Sequence, residues 1–408
     1  MNKNSKLSPT MILLAALCFA IFMVYGIYFN CFGVNASSSM EFFNITEAKQ
    51  GMIITIQAIG CFILTILLGL YGERINKLTG ISAGCFVMAI AAICIGTIPL
   101  YVAQGSGYGL MLLYALIGGI GYIFIDLLMN GVISDVFPDH KHTLLPFVHA
   151  FYGVGAMLAP ILVSHLANPA VPSSFARPFL VLGIVLMPLL VLLVSSSRKI
   201  LPSTIYADMT ELRQRAVSNP AEIFKIKFAW FFLLTSFLHV SFQNGLTTWL
   251  TKYGCDVLNL SYENAALMMT VFFAGNLSMR FLAPVIYKFM PVRRYYYVFI
   301  TSAAVLFLLF ILLDIPSFAL RLVLIFLVGL MQGGGVPTII VLCCDAFPTR
   351  TASASSLFGI GISLANFITP VLMGKLIETI GYALPMLMIT VFLFLSVLTL
   401  KISSKLQN

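Results

Sequence analysis

Apolar residues run along this chain in long blocks, broken at short intervals by glycine, proline, asparagine or charge. At 1.5 Å per residue, a bilayer core of about 30 Å takes roughly 20 apolar residues of helix. Twelve blocks reach that length, at about 11–34, 50–70, 80–100, 107–134, 144–166, 177–197, 228–251, 263–290, 295–313, 319–343, 352–377 and 381–401. They are rich in Leu, Ile and Phe and lack the roughly ten-residue alternation of a barrel strand, so the pattern predicts an all-α protein with twelve membrane-spanning helices. Breaks such as Gly72-Glu73-Arg74 and Pro138-Asp139-His140 separate neighbouring blocks. The first block is too long for an ordinary signal sequence and reads as a retained helix.

Composition agrees with that pattern. The chain is 60% hydrophobic and 9% charged, with a mean hydropathy of +1.02. A soluble domain carries about 25% charged residues to cover its surface. The net charge of +9 taken alone suggests nucleic-acid binding, but its distribution argues otherwise. With the amino terminus inside, 17 of the 23 lysines and arginines fall on the inner side and 5 on the outer, with Arg280 inside a block. That bias predicts both termini in the cytosol, in a plasma membrane or a bacterial inner membrane. The lipid bilayer and a small solute are the expected partners, with no nucleic acid.

The longest polar stretch, 198–227, separates two halves, 1–197 and 228–408. Landmarks recur between them. Asp135-Val-Phe-Pro138 returns as Asp345-Ala-Phe-Pro348, Gly153-Val-Gly155 with Pro160 as Gly359-Ile-Gly361 with Pro370, and Gly69-x-x-x-Glu73-Arg74 as the worn Ala283-x-x-x-Tyr287-Lys288. Six spans per half give the halves one orientation, a parallel repeat about an axis along the membrane normal. The eight cysteines form no paired motif and read as small apolar residues. No phosphate-binding Gly-Lys-Ser/Thr loop, metal-spaced cluster or Ser/His/Asp set is evident, so no enzyme activity and no bound cofactor are expected.

Gly69-Leu-Tyr-Gly-Glu73-Arg74-Ile-Asn76-Lys77 resembles the loop signature of the major facilitator superfamily, with Glu for the usual Asp and Asn for the second Gly. Within it, Asp126-Leu-Leu-Met-Asn130, the run from Pro146 and His149 to Gly153, Gly155 and Pro160, and His239 with Gln243-Asn244-Gly245 and Trp249 are similar to stretches of the fucose:proton symporter family and its sodium-dependent glucose transporter relatives. Phe273-Ala-Gly275…Arg280 matches their Gly-Arg region, with Met279 where Gly is usual. Gln243 stands where a carboxylate is common. Asn30-Cys31-Phe32-Gly33 stands where proton-coupled members carry an acid, which departs from a two-carboxylate relay. The resemblance implies a monosaccharide or similar polyol taken up with a cation by a monomer.

Charge inside a span is costly, about 2.5–3.5 kcal/mol at the bilayer centre, which singles out Asp126 and Arg280. Asp126 suits proton or sodium coupling; a plain salt bridge to Arg280 is the alternative. His149 adds a group that titrates near neutral pH, or serves structure. Tyr122, Asp126 and Asn130, spaced by four, share one helical stripe able to stack on and hydrogen-bond a sugar. His239 and Gln243 repeat that spacing with Asn244 adjacent; solute contact or helix-to-helix hydrogen bonding would satisfy them. Tyr25 and Asn30 in the first span, Trp249 in the seventh and Gln332 in the tenth complete the candidate solute contacts. Gln332 opens Gly333-Gly334-Gly335-Val336-Pro337, a weak point that favours bending. Together these features predict a secondary transporter for a small polar solute, coupled to a cation and working by rocker-switch alternating access. A proton-coupled efflux antiporter of drugs or metabolites is the alternative, on the partial likeness of Gly155-x-x-x-Ala159-Pro160 to an antiporter motif.

Overall fold

The computed structural model describes residues 9–71, 77–137, 141–200, 225–346 and 351–407. The linker expected around 198–227 lies mostly outside these residues, as do positions 72–76 of the loop signature. The described residues are helical throughout, with one isolated bridge between Asn168 and Val171.

The helices are α1 (Pro9–Val34), α2 (Ala36–Phe43), α3 (Glu47–Tyr71), α4 (Lys77–Tyr101), α5 (Tyr108–Val136), α6 (Lys141–Leu166), α7 (Ala176–Ile200), α8 (Lys227–Asp256), α9 (Tyr262–Ile286), α10 (Val292–Leu312), α11 (Phe318–Gln332), α12 (Gly335–Ala346), α13 (Thr351–Ile380) and α14 (Ala383–Gln407). Their ends follow local chemistry. The Ser261 hydroxyl accepts from the Asn264 amide at the start of α9, and Ser317 serves Leu320 likewise at α11. The α1–α3 connection turns through Asn44 and the α4–α5 connection through Gly105 and Gly107, all with positive φ.

Among the described residues, ten helices are long and apolar enough to cross a membrane, with α11 and α12 counted as one crossing. The remaining expected positions are occupied by α3 and α8, which are 25 and 30 residues long. Helix α8 is diluted by Thr235, Ser236, His239, Ser241, Gln243 and Asn244, the price of carrying a polar face through an apolar layer. The outer face of the bundle is apolar: Ile184 and Val191 on α7 are 58% and 67% exposed, the state of side chains meant for lipid rather than water.

The helix pairings repeat. In the first half α1 packs on α6 and α7, α4 on α5 and α7, and α3 on α5. In the second, α8 packs on α13 and α14, α10 on α11 and α14, and α9 on α11. Each pairing of the first half thus has its counterpart in the second. Across the halves, α3 meets α13, α6 meets α9 and α1 meets α8. Exchanging the halves converts the first of these contacts into the second and returns the third to itself. That is a two-fold relation between parallel repeats, and it puts α1 and α8 at the axis.

The halves close on each other at the end remote from the chain termini, called distal below. There Thr55 donates to the Phe367 carbonyl at 2.9 Å, Tyr262 donates to the Val34 carbonyl at 2.9 Å, and Lys252 lies 3.5 Å from Glu47. Lys252 also pairs with Asp256, which accepts from Tyr382 at 2.7 Å. Burial first, and then that carboxylate, hold the Tyr382 phenol above its ordinary pKa. Gly33 makes the seam possible: a Cβ there would sit 2.8 Å from the Thr247 carbonyl and 2.9 Å from Thr248 Cα.

Candidate functional site

Polar side chains gather at the seam between the halves in three groups. The first belongs to α1, α5 and α6. Tyr25 is 2% exposed and stacks on Tyr122, with ring centroids 4.1 Å apart and planes 19° apart. Phe29 closes on the other side of Tyr122, and Tyr152 packs against Tyr25 at 5.2 Å. The Asp126 carboxylate, one turn from Tyr122, lies within hydrogen-bonding reach of the Tyr25 hydroxyl and interacts with His149. His149 stands edge-on to Phe22 at 5.6 Å.

Arg280 enters this group from α9 of the other half. His149 and Tyr152 each interact electrostatically with both Asp126 and Arg280. The two span-buried charges singled out by sequence therefore share an environment, with an imidazole and a phenol between them. The Arg280 Nε is buried without a hydrogen-bond partner. In a low-dielectric setting such an orphaned donor is costly and is a natural anchor for an incoming acceptor. The helix reaches Asn130 as expected, but its side chain lies outside the described residues.

The second group is a buried network in the other half. His239, on α8, faces Tyr296 through Nδ1 at 3.2 Å and Gln332 through Nε2 at 3.0 Å. Gln332 donates to Gln243 Oε1 at 3.0 Å and accepts from Asn276 at 2.6 Å. The break between α11 and α12 at Gly333–Gly334 fits the expected weak point. The glycine at 335 is set by packing, because a Cβ there would fall 2.1 Å from the His239 ring.

The third group lines a cavity against the distal seam: Asn30 and Gly33 from α1, Asn244, Thr247 and Thr248 from α8, and Asn366 from α13. Asn244 donates to the Asn366 side chain, and Asn30 donates to the Gly26 carbonyl at 2.9 Å. Both halves contribute to the lining.

Sequence reasoning and structure meet unevenly. Tyr25, Tyr122, Asp126, His149 and Arg280 come together, as do His239, Gln243 and Gln332, while Asn30 and Asn244 reach the cavity. Trp249 is fully buried in the bundle core, with its indole N–H lacking a partner. Tyr152, Asn276, Tyr296 and Ser396 were missed. Tyr152 follows His149 by three positions on one face, a signal that could have found it. Tyr296 sits in the run Tyr295-Tyr296-Tyr297, which carries no such pointer.

Two bundles related by a two-fold axis, with ionisable and amide side chains held between them, define a membrane transporter of the parallel-repeat type. The family model of the Major Facilitator Superfamily matches residues 17–354 and 292–405. The chain belongs to this superfamily and is a multi-pass membrane transporter. It is 22% identical over 361 residues to the inner membrane transport protein YdiM of Escherichia coli strain K12, covering 87% of this chain and 85% of that one. It is 24% identical over 165 residues to bypass of stop codon protein 6 of Saccharomyces cerevisiae, covering 40% of this chain and only 32% of the yeast protein. Among solved structures it is similar to a bacterial homologue of the human lysosomal transporter Spinster in an inward-facing, unoccupied conformation (TM-score 0.81, 15% identity, 98% of each chain). It is also similar to a D-xylose–proton symporter (TM-score 0.77, 16% identity, 95% of this chain and 96% of that one) and to the E. coli fucose:proton symporter (TM-score 0.65, 17% identity, 97% and 99%). At these identities the structural likenesses establish the fold.

Proposed function

We propose that the protein is a twelve-span secondary transporter that moves a monosaccharide or similar polyol together with a cation, by alternating access. The observation that carries this reading is the composition of the seam. Tyrosines with a carboxylate lie in one half, and amides from both halves line a cavity at the seam, the kinds of group that stack on and hydrogen-bond a polyhydroxylated ring. Tyr25, Tyr122, Asn30, Gln243, Asn244 and Asn366 are assigned to the solute. His239 and Gln332 hold Gln243 in place.

Asp126, with His149 and Arg280, is assigned to coupling. A carboxylate beside an imidazole that also senses a guanidinium can exchange a proton or hold a sodium ion as the halves move. With the termini in the cytosol, as the positive-inside bias favours, the end closed by the distal seam would be the outward-facing one. Sugar and nucleoside transporters among the similar structures support the solute class.

Asp126→Asn is expected to abolish accumulation of solute against its gradient in proteoliposomes while counterflow persists. An Asp126→Asn protein that still concentrates solute removes Asp126 from coupling. Thermal stabilisation across hexoses, pentoses, nucleosides and cationic drugs tests the solute; a shift with cationic drugs alone would replace the sugar reading with the efflux reading.

A further inference from the structure

The network around His239 has a direction, and a backbone carbonyl sets it. The Ser396 hydroxyl donates to the Leu393 carbonyl at 2.7 Å, and a carbonyl only accepts. With its one proton committed, Ser396 must accept from Tyr296, 3.0 Å away. Tyr296 then has no proton left for His239, so its oxygen accepts from His239 Nδ1–H at 3.2 Å. A neutral imidazole protonated at Nδ1 offers a lone pair at Nε2. The Gln332 group facing that lone pair at 3.0 Å must be its amide nitrogen. The second Gln332 N–H goes to Gln243 Oε1, and Gln332 Oε1 accepts from Asn276. Each link determines the next.

The chain of bonds ends at the seam. His239, Tyr296 and Ser396 are fully buried, Gln332 is 1% and Asn276 4% exposed. Gln243 alone among them is partly exposed, and it sits one turn before the cavity-lining Thr247. The bond from Gln332 turns its oxygen inward, so its amide nitrogen is what it presents to the seam.

We propose that this relay fixes Gln243 as an obligate hydrogen-bond donor toward the solute, with Tyr296 and His239 as positioning residues, so that the site selects an acceptor oxygen at the matching position. An unrestrained glutamine can turn over and serve donor or acceptor alike. Reversal of Gln243 would set its amide nitrogen against the Gln332 N–H, and reversal of Gln332 would set its oxygen against the Nε2 lone pair and its nitrogen against the Asn276 amide. A second proton on His239 would likewise meet the Gln332 donors. The relay therefore holds His239 in one neutral tautomer.

The inference about the solute rests on the transport reading above; the relay itself does not. The test begins with the full-length protein labelled with ¹⁵N-histidine in lipid, with the His239 signal identified by its loss in His239→Gln. The expected spectrum shows Nδ1 protonated and Nε2 bare at neutral pH. Tyr296→Phe, which removes the acceptor at Nδ1, is expected to give mixed tautomers, and Gln332→Glu to move the proton to Nε2. A His239 signal protonated at Nε2 in the parent protein, or a spectrum indifferent to both substitutions, overturns the relay.

The second arm compares glucose with its deoxy and deoxyfluoro analogues as competitors of labelled hexose uptake. Fluorine accepts weakly and cannot donate. At one ring position the deoxy sugar is expected to bind roughly fivefold to tenfold more weakly, with fluorine recovering part of the loss, as for one neutral hydrogen bond. Fluorine recovering nothing at any position overturns the donor assignment. If no hexose competes, the sugar reading falls, and the histidine spectrum alone decides the relay.

Discussion

Gly33→Val is expected to push the two halves apart at the distal end. The α1 and α8 backbones meet there so closely that even a Cβ would lie 2.8 Å from the Thr247 carbonyl and 2.9 Å from Thr248 Cα. Neither atom is the end of a flexible side chain, so the helices themselves must move. Forcing added methyl groups into such a contact costs about 1–3 kcal/mol in the state that contains it. In the state open at this end the contact is absent and the cost with it. The equilibrium between the two states should therefore shift by roughly fivefold to 150-fold toward distal opening. Nitroxides at Gln104 and Val257, exposed on opposite halves in a cysteine-free background, report the separation by double electron–electron resonance. A longer distance population should grow in Gly33→Val. The control is Gly109→Ala, where a Cβ meets nothing within 4 Å, and its distances should match the parent. A folded Gly33→Val protein with an unchanged distance distribution would refute the claim that this contact seals the seam.

Glu47→Gln removes one arm of the Lys252 pair across the same seam and should shift the distances less, by under about 1 kcal/mol, and less still in high salt, because the pair is partly exposed. Trp249→Ala should destabilise the bundle by about 3–5 kcal/mol in thermal unfolding, the range for emptying a buried aromatic site. Trp249→Phe should cost far less, since the indole N–H has no partner to lose; a large loss of solute affinity with unchanged stability would instead make Trp249 a solute contact. Tyr382 has its pKa raised by folding, so its contribution is intact below about pH 10, where a tyrosine of the unfolded chain ionises, and is lost as pH rises beyond it. Melting curves of the parent should show an alkaline decline that Tyr382→Phe lacks.

The apolar blocks predicted the helices well because a bilayer demands length and hydropathy from each crossing independently, and both are local properties. The same logic picked out Asp126 and Arg280, since a charge within a block has no cheap explanation. It reached less far in α8, where polar residues serve both the seam and the bundle interior. His239 and Gln243 share a helical face, yet one is buried and the other partly exposed, a difference set by α9, α10 and α11. Tyr296 and Ser396 lie about 57 and 157 positions beyond His239, and no spacing rule links them. The Gly333–Gly335 run was legible as a weak point, whereas the close approach of the His239 ring that requires glycine at 335 was not.

The two-fold relation relates the helices of the proposed coupling group to those of the amide network, and the two groups need not resemble each other. Exchange of the halves converts α5 and α6 into α11–α12 and α13, so the helices that carry Asp126 and His149 correspond to those that carry Gln332 and Asn366. On those helices the first bundle carries ionisable groups that interact with Arg280 across the seam, and the second carries Gln332, whose two N–H groups face His239 and Gln243 in a neutral network. A titrating residue in both bundles would let a proton load one half while the solute stayed on the other, uncoupling the two. With the relay held neutral, a change of charge in the seam is confined to the group around Asp126. Arg280 reaches that group from the opposite half, so protonation or cation binding at the proposed coupling residue would act on the contact between α6 and α9. On the proposed coupling role of Asp126, coupling and gating would share one junction, and replacing His239 with a residue that stays charged is expected to loosen transport from the ion gradient even though His239 lies outside the Asp126 group.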